Sequence, residues 1–178
     1  MKPPIYYHED FYRQIELIPE ENYFKILRDT ENKSIPDSDY GFIKIKERNE
    51  YSIKTEDKQI KFKNVNDTLT PFIINYYCTV ETGYGNHTEL KINTVAFGFE
   101  RIALFIEKNK NDIIKNIWLC QSPLLPNDFS GRNLILALDK LGKEYGLILI
   151  DWDEEIAVRL TSLKSIHKYL TDVFGFNL

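Results

Sequence analysis

The sequence predicts an α+β fold, a mainly antiparallel sheet of about six to eight strands with helices near the start and the C-terminal end packed on it. Three observations predict this. Alternating, β-branched and aromatic segments recur through the middle of the chain, from "GFIKIKE" to "NIWLCQS". Charged or glycine-bearing turns punctuate them, as in an antiparallel meander. Apolar residues at helical spacing lie near the two ends. A chain of 178 residues, 43% hydrophobic and 28% charged, reads as one domain over 1–178 that can bury a sizeable core. No repeat or low-complexity segment divides it.

The elements follow in order. "FYRQIELIP" reads as a strand with Tyr12, Gln14 and Glu16 on one face and Arg13, Ile15 and Leu17 on the other. Pro19 then opens a helix through "EENYFKILRD", where Glu20 and Glu21 complement the positive dipole end and Tyr23, Phe24, Ile26 and Leu27 supply an apolar face. "ENKSIPDSDYG" is a polar loop. "GFIKIKE", "EYSIKTE" and "KQIKFKN" read as three short strands of a meander. "PFIINYYCTVE" is a richer strand that stops at "TGYGN", where Gly83, Gly85 and Asn86 favour a turn.

"INTVAFGFERIALFIEK" reads as one long bent strand or two, with Gly98 marking a bulge or close backbone approach. "NIWLCQS" is a further strand. "RNLILALDKLGKEY" places Leu134, Leu138, Leu141 and Tyr145 at helical spacing, and Gly146 stops the helix. "LILID" is apolar on both faces and so covered on both. "IAVRL" pairs with it as a half-exposed strand, making a hairpin with "DWDEE" at its tip. Thr161 or Ser162 caps a last helix with the stripe Leu163, Ile166, Leu170, Val173 and Phe174.

Composition bounds function. "MKPPIYYHEDFYRQ" lacks the apolar run of a signal peptide and no stretch reaches ~18 apolar residues, so a cytoplasmic location without a membrane partner is expected. Cys78 and Cys120 sit in hydrophobic runs without ligand spacing, as buried reduced thiols would. The net charge of −4 is uneven. Residues 1–40 carry five basic and nine acidic side chains, whereas 41–66 carry seven basic and four acidic. That balance favours a basic protein partner over direct contact with nucleic acid.

Three constellations invite a chemical reading. Asp151 and Asp153, two residues apart beyond an apolar strand, could hold Mg²⁺ in a metal-dependent hydrolase, and "LILIDWDEE" superficially resembles the first motif of haloacid-dehalogenase-like phosphatases. Only 25 residues follow Asp153, however, and Glu154 and Glu155 replace the small residue and threonine of that motif. The tip acids read more simply as a solvated turn. His8, His87 and His167 lack ligand spacing, and no metal or cofactor is expected. Lys44, Lys46, Lys54, Lys58, Lys61 and Lys63, interleaved with Phe42, Tyr51 and Phe62, would suit an RNA-binding module built on the 44–63 meander, but alternating lysines also make an ordinary wet strand face.

Taken together, "HEDFYRQIELIPEEN", "FGFERIALFI" with "NIWLCQS", and "LILIDWDEEIAVRLTSLKSIHKYL" resemble small bacterial proteins encoded beside polymorphic toxins, closest to the immunity proteins of contact-dependent growth inhibition systems. The resemblance spans most of the chain and carries no catalytic signature. It implies a cytoplasmic, non-catalytic protein that binds one cognate toxin C-terminal domain and occludes it. If that toxin is a nuclease, its cleft must be basic, and carboxylates would stand in for phosphates. The expected contact residues are Asp151, Trp152, Asp153, Glu154 and Glu155 at the hairpin tip, Glu9 and Asp10, and Asp37 and Asp39, with Tyr40 and Tyr84 as aromatic anchors.

Overall fold

The computed structural model describes residues 3–31, 51–84, 87–99, 101–121 and 131–176. The chain opens with β1 (Ile5–His8), a 3-10 turn at Glu9–Phe11 and β2 (Ile15–Pro19). The strand expected from Phe11 onward therefore starts four residues later, because the 3-10 turn and Arg13, at φ 58, interrupt the extended backbone. A second 3-10 turn at Glu20–Asn22 leads into α1 (Tyr23–Glu31). Of the anticipated meander, "GFIKIKE" lies outside the described residues and the other two segments are not strands. Thr55–Lys58 is a 3-10 turn and Phe62–Leu69 is α2. Phe62, Val65 and Leu69 explain the correction, since their three-and-four spacing buries one helical stripe that a window ending at Asn64 does not reveal.

β3 (Asn75–Tyr77) and β4 (Val80–Tyr84) divide "PFIINYYCTVE" between two sheets, and Gly83 lies within β4 rather than in a turn. β5 (His87–Leu90) completes a hairpin with β4. β6 (Thr94–Phe99) and β7 (Ile102–Lys108) are the two strands of the long apolar segment. Gly98 sits in an unbroken ladder opposite Ala103, and the register shift falls at Glu107/Lys108 instead. β8 (Ile114–Gln121), α3 (Arg132–Tyr145), β9 (Leu147–Asp151), β10 (Ile156–Arg159) and α4 (Leu163–Phe174) match their expected positions. Gly146, at φ +61, donates its N–H to Gly142 O and ends α3, and the Ser162 hydroxyl accepts the Ser165 N–H at the start of α4.

Seven strands pair antiparallel throughout in the order β10-β9-β2-β8-β7-β6-β3. A smaller sheet, β1-β4-β5, contains one parallel pair. Alternation distributes the core over both faces of the large sheet. Leu104 and Ile106, Ile117 and Leu119, and Leu147 and Leu149 pack with α2, α3 and α4. Their neighbours Ala103, Phe105, Trp118 and Cys120 meet Ile5, Tyr7 and Val80 of the small sheet, and Ile148 and Ile150 meet Ile26 of α1. Each fully buried aliphatic side chain contributes about 1.5–3 kcal/mol, so this three-layer arrangement is what holds the strand ends in position. No helix among the described residues is long and apolar enough to cross a membrane.

Candidate functional site: an acidic and aromatic face around Phe11

Asp151 ends β9 on the face that meets the helices, and its alternation with Leu147 and Leu149 buries it to 1% exposure. Its Oδ2 accepts the Tyr169 hydroxyl of α4 at 2.7 Å. Its Oδ1 accepts the backbone N–H of Asp153 and of Glu154, each at 3.1 Å. The carboxylate thus closes the turn on itself, an Asx-type bond that leaves Glu155 at φ 53. Burial pushes the Tyr169 phenol up, and the hydrogen bond to Asp151 and the charges of Asp151, Glu154 and Asp153 push it further. The reading of Asp151 as a solvated tip acid is corrected: it locks the turn, and only Asp153 and Glu154 of the tip are exposed, with Glu155 half-buried.

Trp152 is half-buried as well. Its indole donates to Glu16 Oε1 at 2.8 Å and stacks with Tyr51 at 6.3 Å between centroids. Glu16, 2% exposed, also accepts from the Tyr51 hydroxyl and from Arg13 Nε at 2.7 Å. Trp152 is therefore tied beneath the tip rather than presented as an anchor.

At the other end of the expected contact set, β1 runs parallel to β4 with His8 opposite Gly83, and Tyr6 donates its hydroxyl to Gly83 O at 2.7 Å. This pairing sets the His8 ring 5.1 Å from Tyr84, edge to face, and 6.0 Å from Phe11. Phe11 is 53% and Tyr84 61% exposed. Glu9 and Asp10 are exposed on the same 3-10 turn, whose cap is the Asp10 N–H donated to His8 Nδ1.

Phe11 links the two groups. It lines a cleft of about 270 Å³ at one end of the large sheet, as do Asp153 and Glu154. The floor is a row of lateral neighbours across three strands, since Ile15 of β2 stands opposite Leu119 of β8 on one side and Asp151 of β9 on the other. Val173 and Phe174, from the last turn of α4, complete it. Asp153 and Glu154 thus share a cleft with Phe11, up to 143 positions away in sequence, while Glu9 and Asp10 precede Phe11 on its own 3-10 turn and Tyr84 is joined to it through the His8 ring. Sequence reasoning missed Phe11 and His8, because reading "FYRQIELIP" as a strand gave Phe11 a place in the sheet. Asp37, Asp39 and Tyr40 lie outside the described residues.

The other constellations fare differently. Among the described residues no group of three or more His, Cys, Asp and Glu side chains could hold a metal ion. Asp151, the first acid of the Asp151/Asp153 pair, already accepts from three donors of its own chain. Of the basic meander, Lys44, Lys46 and Phe42 lie outside the described residues. Phe62 packs into the core, Tyr51 bonds Glu16 and Lys58 pairs with Glu21 at 2.6 Å, so no sheet of stacking aromatics forms from 51–63. Cys120 is buried as expected, and burial pushes its thiol up to about 12, far from a nucleophilic thiolate at neutral pH. Cys78 is exposed, which corrects its expected burial: it follows the edge strand β3 in the link to the small sheet.

No family model matches the chain, nor does any curated protein or solved structure.

Proposed function

We propose that this chain is a cytoplasmic, stoichiometric inhibitor of the immunity-protein kind, which binds one toxin domain and occludes its basic cleft. The observation that supports this reading is the convergence on Phe11. Exposed Asp153 and Glu154 line a cleft with the exposed ring of Phe11, exposed Glu9 and Asp10 lie on the same 3-10 turn as Phe11, and His8 links Phe11 to the exposed ring of Tyr84. Binding surfaces draw their energy from aromatic anchors inside a rim of charge, and acids in the rim speed encounter with a basic partner. A toxin nuclease needs a basic cleft to hold phosphates, so the same positive field that draws nucleic acid would draw this face. The rigid support beneath it, from the Asp151 turn lock and the β1–β4 pairing, lowers the ordering cost of binding.

The test is co-expression with the toxin domain encoded beside this gene. The reading predicts protection of the host cell and a 1:1 complex of the purified proteins that excludes nucleic acid from the toxin. Unprotected cells, together with no complex at micromolar concentration, would refute it.

A further inference from the structure

Resting on that reading of the face, we propose that the cleft beside Phe11 is the seat of one arginine side chain of the partner. Its volume of about 270 Å³ falls just below the ~300–1,000 Å³ of pockets that enclose whole small molecules, which suits a single long side chain. Apolar side chains of Ile15, Leu119, Val173 and Phe174 line the cleft together with the carboxylates of Asp151, Asp153 and Glu154 and the amides of Gln14 and Gln121; of the carboxylates, Asp153 and Glu154 are the exposed ones. Neither of those carboxylates has an ion-pair partner among the described residues. A cleft that combines apolar walls with exposed, unpaired carboxylates matches a side chain with a hydrocarbon stem and a cationic head.

Two further features favour arginine. Phe11 is half exposed and lines the cleft, and on an aromatic ring a planar guanidinium stacks better than an ammonium. The last turn of the twelve-residue α4 supplies Val173 and Phe174, so the negative end of its dipole lies at the cleft and adds to the attraction for a cation. The two carboxylates are also held ready. Asp151 Oδ1 grips the backbone N–H groups of both Asp153 and Glu154, which fixes where their side chains leave the turn.

N-acetyl-arginine amide is the probe, titrated into the ¹⁵N-labelled full chain and followed by backbone amide shifts. The expected result is a saturable response at millimolar concentration confined to Phe11, Gln121, Asp153, Glu154 and their neighbours. It should be at least tenfold weaker for the uncharged citrulline amide, at least threefold weaker for the lysine amide, and at least tenfold weaker in D153N/E154Q. No saturable response, an equal response to citrulline or lysine, or an unchanged response in that variant would overturn the arginine seat. The complex separates this inference from the function it rests on. A toxin domain that binds Phe11→Ala and D153N/E154Q as tightly as the wild type overturns the seat and leaves the inhibitor intact. An arginine probe that seats as expected in a chain that binds no toxin upholds the seat and removes the inhibitor.

Discussion

The Tyr169 hydroxyl donates to Asp151 Oδ2 at 2.7 Å, joining the last helix to the turn that carries the exposed acids Asp153 and Glu154. Because Asp151 is buried and also accepts two backbone N–H groups, its removal leaves three donors without their acceptor. Asp151→Ala should cost about 3 kcal/mol, since stranded buried donors lose the full value of charge-assisted bonds. Asp153→Asn with Glu154→Gln should change stability by no more than about 0.5 kcal/mol, as exposed substitutions do. Urea unfolding midpoints of the two variants check the contrast. Equal midpoints would return Asp151 to the solvated tip.

Alkaline titration should report the same bond. A free tyrosine titrates near 10.0, and burial followed by the Asp151 contact raises Tyr169 above that. A raised folded-state value means that the folded chain keeps a proton the unfolded chain gives up. The stability contribution is fully present below pH 10 and is lost as pH climbs from there through the folded value. Between pH 10 and 11.5 the wild type should therefore lose stability more steeply than Tyr169→Phe. Parallel slopes in urea titrations of the two proteins would contradict the assignment.

Gly142 sets helix propensity against packing. Alanine is favoured over glycine inside a helix by about 1 kcal/mol. A Cβ at Gly142 would stand 2.5 Å from the Leu160 Cβ, where α3 crosses the end of the β9–β10 hairpin. Overpacking of this kind costs typically about 1–3 kcal/mol. Gly142→Ala should accordingly lower the melting temperature, and a rise would show that the two elements can separate freely.

Trp152 is bound under the tip by Glu16 and Tyr51. Trp152→Ala should cost about 2 kcal/mol, less than the 3–5 of a fully buried indole because one side is solvated. Trp152→Phe should recover most of the packing but not the bond to Glu16. Unfolding midpoints in the order wild type, Phe, Ala check this ranking.

Much of the fold is legible where a segment is long enough to show its period. The stripe from Leu134 to Tyr145 and that from Leu163 to Phe174 repeat over three turns, and the runs in β7, β8 and β9 are bounded by turn residues. The segment 58–64 is too short for that. Lys61 and Lys63 flank Phe62 as in a strand, and only Val65 and Leu69 beyond the segment show the helix. Likewise, "PFIINYYCTVE" has uniform strand propensity, and nothing local records that Tyr77 pairs with Ala96 while Val80 pairs with Ile5.

The site is legible in its residue types but not in its geometry. The acids at 9, 10, 153 and 154 stand out as charges in sequence. Their meeting at Phe11 depends on β2 lying between β8 and β9, a long-range pairing that no spacing encodes. The burial of Asp151 escapes the sequence for a related reason. Period two puts it on the covered face with Leu149, but a carboxylate is assigned to solvent until its partner, Tyr169 from another element, is known.

The most direct test is the affinity of the toxin domain proposed as partner for the variant E9Q/D10N/D153N/E154Q, measured by titration calorimetry beside the wild type. All four positions are exposed, so the unfolding free energy should hold within about 0.5 kcal/mol. The account predicts a dissociation constant raised at least ~30-fold, the equivalent of about 2 kcal/mol, with the loss shrinking as salt is added. A folded variant that binds within twofold of the wild type would contradict the claim that this face is the inhibitory surface.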